Sequence, residues 1–188
     1  MSSEEPRPLR TLTDPKAMRA IAHPTRIALL EALGRDGALT ATEAAAVVGE
    51  SPTNCAFHLR TLAKYGFVEE AGGGTGRRRP WQLKHVGFRF DEDTVEANAL
   101  AGFLWETWLA RLAKVAGRRA SFSEEWRKAT SASETVLYLT PEEAKAFHEG
   151  MADLVLRYHN RMENPALRPP DSLPLEHIQF TYPYDAVR

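Results

Sequence analysis

Ser51-Pro-Thr-Asn-Cys-Ala-Phe-His-Leu-Arg-Thr-Leu-Ala-Lys-Tyr-Gly-Phe67 is the stretch whose reading decides the fold. A hydroxyl residue followed by proline marks a helix start: the Ser51 oxygen can accept from an orphan backbone N–H, and Pro52 suits the first helical position. Cys55, Leu59 and Leu62 recur at three- and four-residue spacing, which predicts one apolar, inward face. Thr53, Asn54, Phe57, Arg60 and Lys64 are left on the other faces. Gly66 supplies a left-handed stop, and Phe67 to Ala71 alternates in the manner of a strand.

Upstream, Thr40 with Glu43 three residues later is a capping-box pattern, so a helix is expected from Thr40 to Val48. Gly49-Glu50-Ser51 then makes a tight turn into the helix at Pro52. Before Thr40, Thr13 or Asp14 caps a helix from Pro15 to Ala22. His23-Pro24 interrupts it, because the residue before a proline is pushed out of the helical region. A second helix runs from Pro24 to about Leu33, with Ile27, Leu30 and Leu33 on one side, and Gly34 to Leu39 reads as a loop. The first dozen residues, polar and proline-bearing, read as a mobile arm. Downstream, Gly72-Gly-Gly-Thr-Gly-Arg-Arg-Arg79 is a hairpin tip between the strands Phe67–Ala71 and Trp81–Val86. Helix, tight turn, helix and basic hairpin in that order describe a winged helix-turn-helix over residues 10–90.

Such a unit places the N-terminal part of its second helix in DNA's major groove while the opposite face packs inside. Thr53, Asn54, Phe57 and Arg60 fit that exposed edge, and Ser51 can give its hydroxyl to a phosphate. Arg60 can fork onto a guanine edge or grip a phosphate, and the sequence does not choose. Phe57 is unusual at a groove-facing position and can press on a thymine methyl. The plain alternative is a helical hairpin with a solvated face. Arg77, Arg78 and Arg79 suit a minor groove or flanking phosphates. Alone they would be a solvated charge run on a loop.

Net charge is −1, but it is unevenly spread: residues 1–89 carry 13 Lys+Arg against 9 Asp+Glu, and the remainder 11 against 16. Polyanion contact therefore belongs to the first half. The longest apolar stretches fall far below the roughly 20 residues that span a bilayer, and the N-terminus lacks the apolar segment of a signal peptide. A single cysteine excludes an intrachain disulfide and fits a reducing compartment. The expectation is a cytoplasmic protein with no membrane partner.

Residues 15–86 resemble the winged helix-turn-helix of ArsR-type bacterial transcription regulators. Ala22-His-Pro-Thr-Arg-Ile-Ala-Leu-Leu-Glu-Ala-Leu33 is similar to the opening helix signature of that family. Ser51 to Leu62 is similar to its recognition helix, and Tyr65-Gly-Phe-Val68 to its exit into the wing. The resemblance implies a homodimer on a partly palindromic operator, usually a repressor released by a signal. The second half departs from the short founding members and looks like longer actinobacterial relatives with an added C-terminal dimerisation or sensing region.

That region, residues 91–188, reads as mainly helical. Thr94 to Ala116 carries Leu100, Leu104, Trp108 and Leu112 at four-residue steps, and Ser121 to Ala129 makes a short helix. Thr140-Pro-Glu-Glu143 opens a helix expected to reach Met162. Thr135–Leu139 and Ile178–Tyr182 are expected to form a small strand pair. Phe103, Trp105, Trp108, Phe122, Trp126 and Tyr158, with Tyr138 and Phe147 approaching, make either a packed dimer core or a pocket for an apolar small-molecule effector.

Metal sensing of the thiolate kind needs paired cysteines, and only Cys55 is present, at a position that packs the helix-turn-helix. His148 and His159 are expected near one face of the last long helix, where solvated histidines are common. No metal and no cofactor is expected. No nucleophile elbow, nucleotide-binding glycine pattern or His-Glu-x-x-His occurs, and the expectation is not an enzyme. Two other readings remain open: a winged helix used as a protein-interaction module, and a metal-responsive sensor.

Overall fold

The computed structural model describes residues 9–72, 79–85, 87–90, 94–158 and 160–184. The chain divides into two compact units, Met1–Thr107 and Trp108–Arg188. The architecture is mainly helical, with a winged helix-turn-helix in the first unit and a small β component.

In the first unit the order is β1 (Leu9–Leu12), α1 (Pro15–Ile21), α2 (Pro24–Asp36), α3 (Ala41–Val48), α4 (Pro52–Lys64), β2 (Val68–Glu70), β3 (Trp81–Leu83) and β4 (Gly87–Phe90), then the first turns of α5 (Val95–Arg118). Each helix starts where local chemistry satisfies its orphan N–H groups. Asp14 accepts from the Lys16 N–H at 2.9 Å, and His23 Nδ1 accepts from the Thr25 N–H at 3.2 Å. Thr40 and Glu43 form a complete capping box, and Ser51 Oγ accepts from the Asn54 N–H at 3.2 Å. Gly49 at φ 80 and Gly66 at φ 73 end α3 and α4 in the left-handed region that a side chain would strain.

The core of this unit joins Met18 and Ile21 of α1, Ile27, Leu29 and Leu33 of α2, Ala44 and Ala45 of α3, and Cys55, Leu59 and Leu62 of α4. Ala97, Leu100, Ala101 and Leu104 of α5 are buried in the same unit. Strands β2 and β3 pair antiparallel from Val68 opposite Leu83 to Glu70 opposite Trp81. Trp81 also exchanges two backbone bonds with Leu39, at 3.0 and 2.7 Å, which ties the wing to the α2–α3 connection.

Two features of this unit differ from the sequence expectation. The arm expected over the first dozen residues includes a strand: β1 pairs in parallel with β4, Leu9 opposite Gly87 through Leu12 opposite Phe90. Parallel partners lie far apart in sequence, so no turn signal announces them. Arg10 fixes the strand by donating to the Tyr65 carbonyl at 2.5 Å and lying 4.6 Å over the Phe67 ring. Helix α2 runs through Gly34 to Asp36, where Gly37 ends it, so the loop is shorter than expected.

The second unit holds the end of α5, a 3-10 turn at Arg119–Ser121, α6 (Glu124–Ala129), α7 (Pro141–Leu156), α8 (Asn160–Glu163) and a 3-10 turn at Pro165–Leu167. Thr140 and Glu143 complete the capping box of α7. Arg119 staples α6 by donating to the Arg127 and Thr130 carbonyls at 2.7 and 2.9 Å. Arg111 bonds Glu176 at 2.5 Å, and the Trp108 ring meets Phe180 at 6.2 Å.

Here two expectations are corrected. Thr135–Leu139 and Ile178–Tyr182 form no strand pair. Val136, Leu137, Tyr138 and Leu139 are all exposed, so the alternation marks no buried face to hold a register. The helix expected to reach Met162 ends at Leu156, with a turn at Arg157 and Tyr158 before the short α8. Its residues from Ala152 to Tyr158 are exposed, and helices are held chiefly by tertiary packing of an apolar face.

Candidate nucleic-acid interface

Helix α3, the Gly49 turn and α4 are built so that one edge of α4 is free. Cys55, His58, Leu59 and Leu62 at positions i, i+3, i+4 and i+7 are buried against the other helices. That packing leaves Ser51, Thr53, Phe57 and Arg60 exposed on α4 and its cap, with Asn54 half-buried. Phe57 is the large apolar side chain on this edge, 59% exposed. An aromatic ring left in water on a helix whose other face is fully packed has its apolar surface available to a partner.

The remaining side chains are partly engaged within the protein. Asn54 donates its amide to Glu50 Oε2 at 2.9 Å, so a base or phosphate would take it from that carboxylate. Thr61 donates its hydroxyl to the Phe57 carbonyl at 3.0 Å. Ser51 Oγ is already the helix cap, yet a hydroxyl keeps a donor for a phosphate while it accepts. At the hairpin, Arg79 donates to Glu70 Oε2 at 2.7 Å across the base of the wing. Arg77 and Arg78 lie outside the described residues.

Cys55 is fully buried, and burial, reinforced by the Glu50 charge, pushes its thiol up. A protonated, enclosed thiol is a core residue and a poor metal ligand. Among the described residues no three His, Cys, Asp or Glu side chains come together as a metal-binding group. His159, expected near the same helix face as His148, lies outside the described residues.

Sequence reasoning left His58 off the buried face of α4, reading it only as a possible ligand beside Cys55. It is 6% exposed and lies against His23 with ring centroids 4.5 Å apart and planes tilted by 40°, while Phe57 meets it edge-on at 5.2 Å. The signal was present: His58 lies three residues after Cys55 and four before Leu62, on the apolar stripe.

The aromatic residues of the expected effector site fall in two groups. Half-buried Phe103 and exposed Trp105 belong to the first unit; Trp108, Phe122, Trp126 and Tyr158 belong to the second. In the second unit Trp108 and Trp126 are half-buried, Phe122 is exposed, and Tyr158 lies beneath the Arg161 guanidinium at 5.1 Å. Tyr138 does not approach the group; it is 97% exposed, on a segment with no regular structure.

Residues 21–71 match the family model described as a helix-turn-helix domain. The α2–α4 segment is a helix-turn-helix. Among solved structures the chain is similar to a MarR family regulator from Neisseria meningitidis, at 19% identity and a TM-score of 0.34, covering 73% of this chain and 78% of that one. No curated protein matches the chain. No described helix is long and apolar enough to cross a membrane.

Proposed function

We propose that this protein is a sequence-specific, double-stranded-DNA-binding transcription regulator of the ArsR type, acting as a cytoplasmic homodimeric repressor released by an apolar small molecule. Residues 10–90 are its DNA-binding domain and residues 91–188 its dimerisation and sensing region. The observation that carries the reading is the free edge of α4, where Thr53, Phe57 and Arg60 project opposite a packed face and a basic hairpin follows. Two such helices in a two-fold dimer enter successive major grooves about 34 Å apart. Ser51 and Arg79, with Arg77 and Arg78, supply phosphate contacts that set register, and Arg60, Asn54 and Phe57 supply base contacts.

The second unit supports assembly with another copy. Among its described residues none is fully buried, and Leu109, Leu112, Val115, Phe147 and Leu154 lie exposed on its two long helices. Burying about 800 Å² of such surface per subunit is what a stable interface requires. An effector lodged among Trp108, Phe122, Trp126 and Tyr158 would regulate only by binding one dimer geometry better than another.

The test is selection of a random duplex library on the purified protein, then titration of the winner at two salt concentrations. The expected product is an inverted repeat with half-sites one helical turn apart. No enrichment, with weak binding that vanishes at physiological salt, would overturn the DNA-binding reading in favour of a protein-interaction module.

A further inference from the structure

Half-buried His23 at the start of α2 and buried His58 on the inner face of α4 have no role in the DNA-binding reading, yet they lie directly beneath that surface. His23 caps α2 in an extended conformation, and its Nδ1 accepts the Thr25 N–H at 3.2 Å. That bond requires an unprotonated Nδ1, hence a neutral ring. The His58 ring lies against it, centroids 4.5 Å apart and planes tilted by 40°, and its Nδ1 is buried with no hydrogen-bond partner among the described residues. Arg26 of α2 is close by, its Nε also buried without a partner. On the other side His58 meets Phe57, the exposed ring on the DNA-facing edge.

We propose that the His23–His58 contact pair is a proton-operated latch on the DNA-reading helix: with both rings neutral α4 is seated on α2, and protonation in mildly acidic medium unseats α4 and lowers DNA affinity. The proposal rests on the DNA-binding reading above and adds regulation to it.

The chemistry follows from the contacts. Protonating His23 turns its Nδ1 into a donor facing the Thr25 N–H donor, so α2 loses its cap. Protonating His58 places an N–H without an acceptor, and a charge, in the core beside Arg26. Charging both sets two like charges on rings whose centroids are 4.5 Å apart. Burial, then the Arg26 charge, holds His23 below its ordinary value, while Glu50 opposes. Burial, then His23 and Arg26, holds His58 below its ordinary value, again opposed by Glu50. Tyr65 faces Arg26 and acts on it rather than on the pair. Cys55, on the same face of α4, is kept protonated by burial and brings no charge. Lys16 and Arg19 of α1, Glu43 of α3 and Glu69 and Glu70 of β2 are exposed and do not act on either ring. Among the described residues Glu50 is the carboxylate that favours the charged rings, and it is already bonded to Asn54.

The direction is fixed by linkage. Both folded values lie below the unfolded value of about 6.5, so the neutral pair stabilises the fold fully above that pH. The stabilisation is lost as pH falls from about 6.5 toward the folded values. Each histidine can lower the folded-to-unfolded ratio by up to about tenfold per pH unit in that window. DNA affinity should fall with it. This is opposite to the general effect of acid, which adds positive charge and favours a polyanion.

The experiment compares the full chain with the double variant His23→Asn, His58→Phe, which keeps a capping acceptor and a buried ring but cannot titrate. Urea unfolding and anisotropy on the selected duplex are followed from pH 7.5 to 5.5 at fixed ionic strength. The wild type should lose at least tenfold in DNA affinity, with a falling urea midpoint; the variant should hold both nearly constant. Wild-type affinity that stays level or rises on acidification overturns the latch, as does a variant that retains the wild-type pH slope. If the wild type binds no duplex at pH 7.5, the DNA-binding reading fails, and urea unfolding of the two proteins still decides the latch. If the variant does not fold, the imidazole resonances of the wild type decide: titration of His58 or His23 at or above 6.5 overturns the proposal.

Discussion

Glu70 and Arg79 hold each other across the base of the wing, Nη1 to Oε2 at 2.7 Å with both side chains about half exposed. If the wing arginines bind phosphate, Glu70 competes with DNA for one of them. Replacing Glu70 by Gln removes the competing charge and keeps the shape. Each phosphate neutralised adds about 0.9 to the slope of log affinity against log salt. A fourfold rise in salt, from about 50 to 200 mM, then weakens binding roughly 3.5-fold per contact, or about 0.7 kcal/mol. Glu70→Gln should therefore tighten binding at 50 mM and steepen the slope by up to about 0.9, with the gain shrinking at 200 mM. Folding stability should move by less than about 1 kcal/mol, because an exposed ion pair is worth little. The assay is anisotropy of a labelled duplex over a salt series, with wild type, Glu70→Gln, Arg79→Ala and the double variant forming a cycle. Removing any acidic group near DNA favours binding somewhat, so the cycle carries the test. A steepened slope that survives when residue 79 is Ala, or no steepening at all, would refute the competition.

Arg60→Ala should cost about 1–3 kcal/mol of DNA affinity and relax preference at one operator position if the guanidinium reads a base. A loss uniform across sequences, measured by repeating the library selection, would place it on a phosphate instead. Ser51→Ala removes the cap of α4 and should lower unfolding free energy in urea by about 1 kcal/mol. The buried, protonated Cys55 thiol should react with an alkylating reagent only as fast as the protein opens, so labelling should accelerate sharply across the urea transition. Rapid labelling of the native chain would contradict its burial.

What the sequence disclosed of the first unit was chemistry that acts over a few residues. Asp14, Thr40 and Ser51 cap helices because each sits one step before a proline or a periodic apolar run. Gly49 and Gly66 stop helices because the backbone there is left-handed. Strand β1 was illegible because its partner β4 is chosen by parallel pairing across the whole unit, and Leu9-Arg-Thr-Leu12 does not alternate. The polar engagements of the candidate interface were hidden for a different reason. The Asn54 bond to Glu50 and the Arg79 bond to Glu70 depend on rotamers, which composition and period do not specify. His58 is the instructive case: its spacing put it on the apolar stripe, but its polar side chain concealed that it was core.

The second unit poses a different difficulty, since its apolar patterning is clear yet its described residues bury no side chain fully. Leu109, Leu112 and Val115 on α5, and Phe147, Leu154 and Val155 on α7, remain exposed. A helical unit recovers the conformational entropy lost on folding by burying apolar faces, and the homodimer proposed above would bury these against a second copy. If that partner is a second copy, folding and association are one equilibrium, and stability depends on protein concentration. For a dimer that dissociates as it unfolds, each tenfold rise in concentration adds about 1.4 kcal/mol per dimer to the apparent stability. Urea midpoints measured over a hundredfold concentration range should therefore shift by about 2.7 kcal/mol in equivalent free energy, with sedimentation reporting twice the chain mass. A midpoint independent of concentration, with the mass of a single chain, would refute the homodimer.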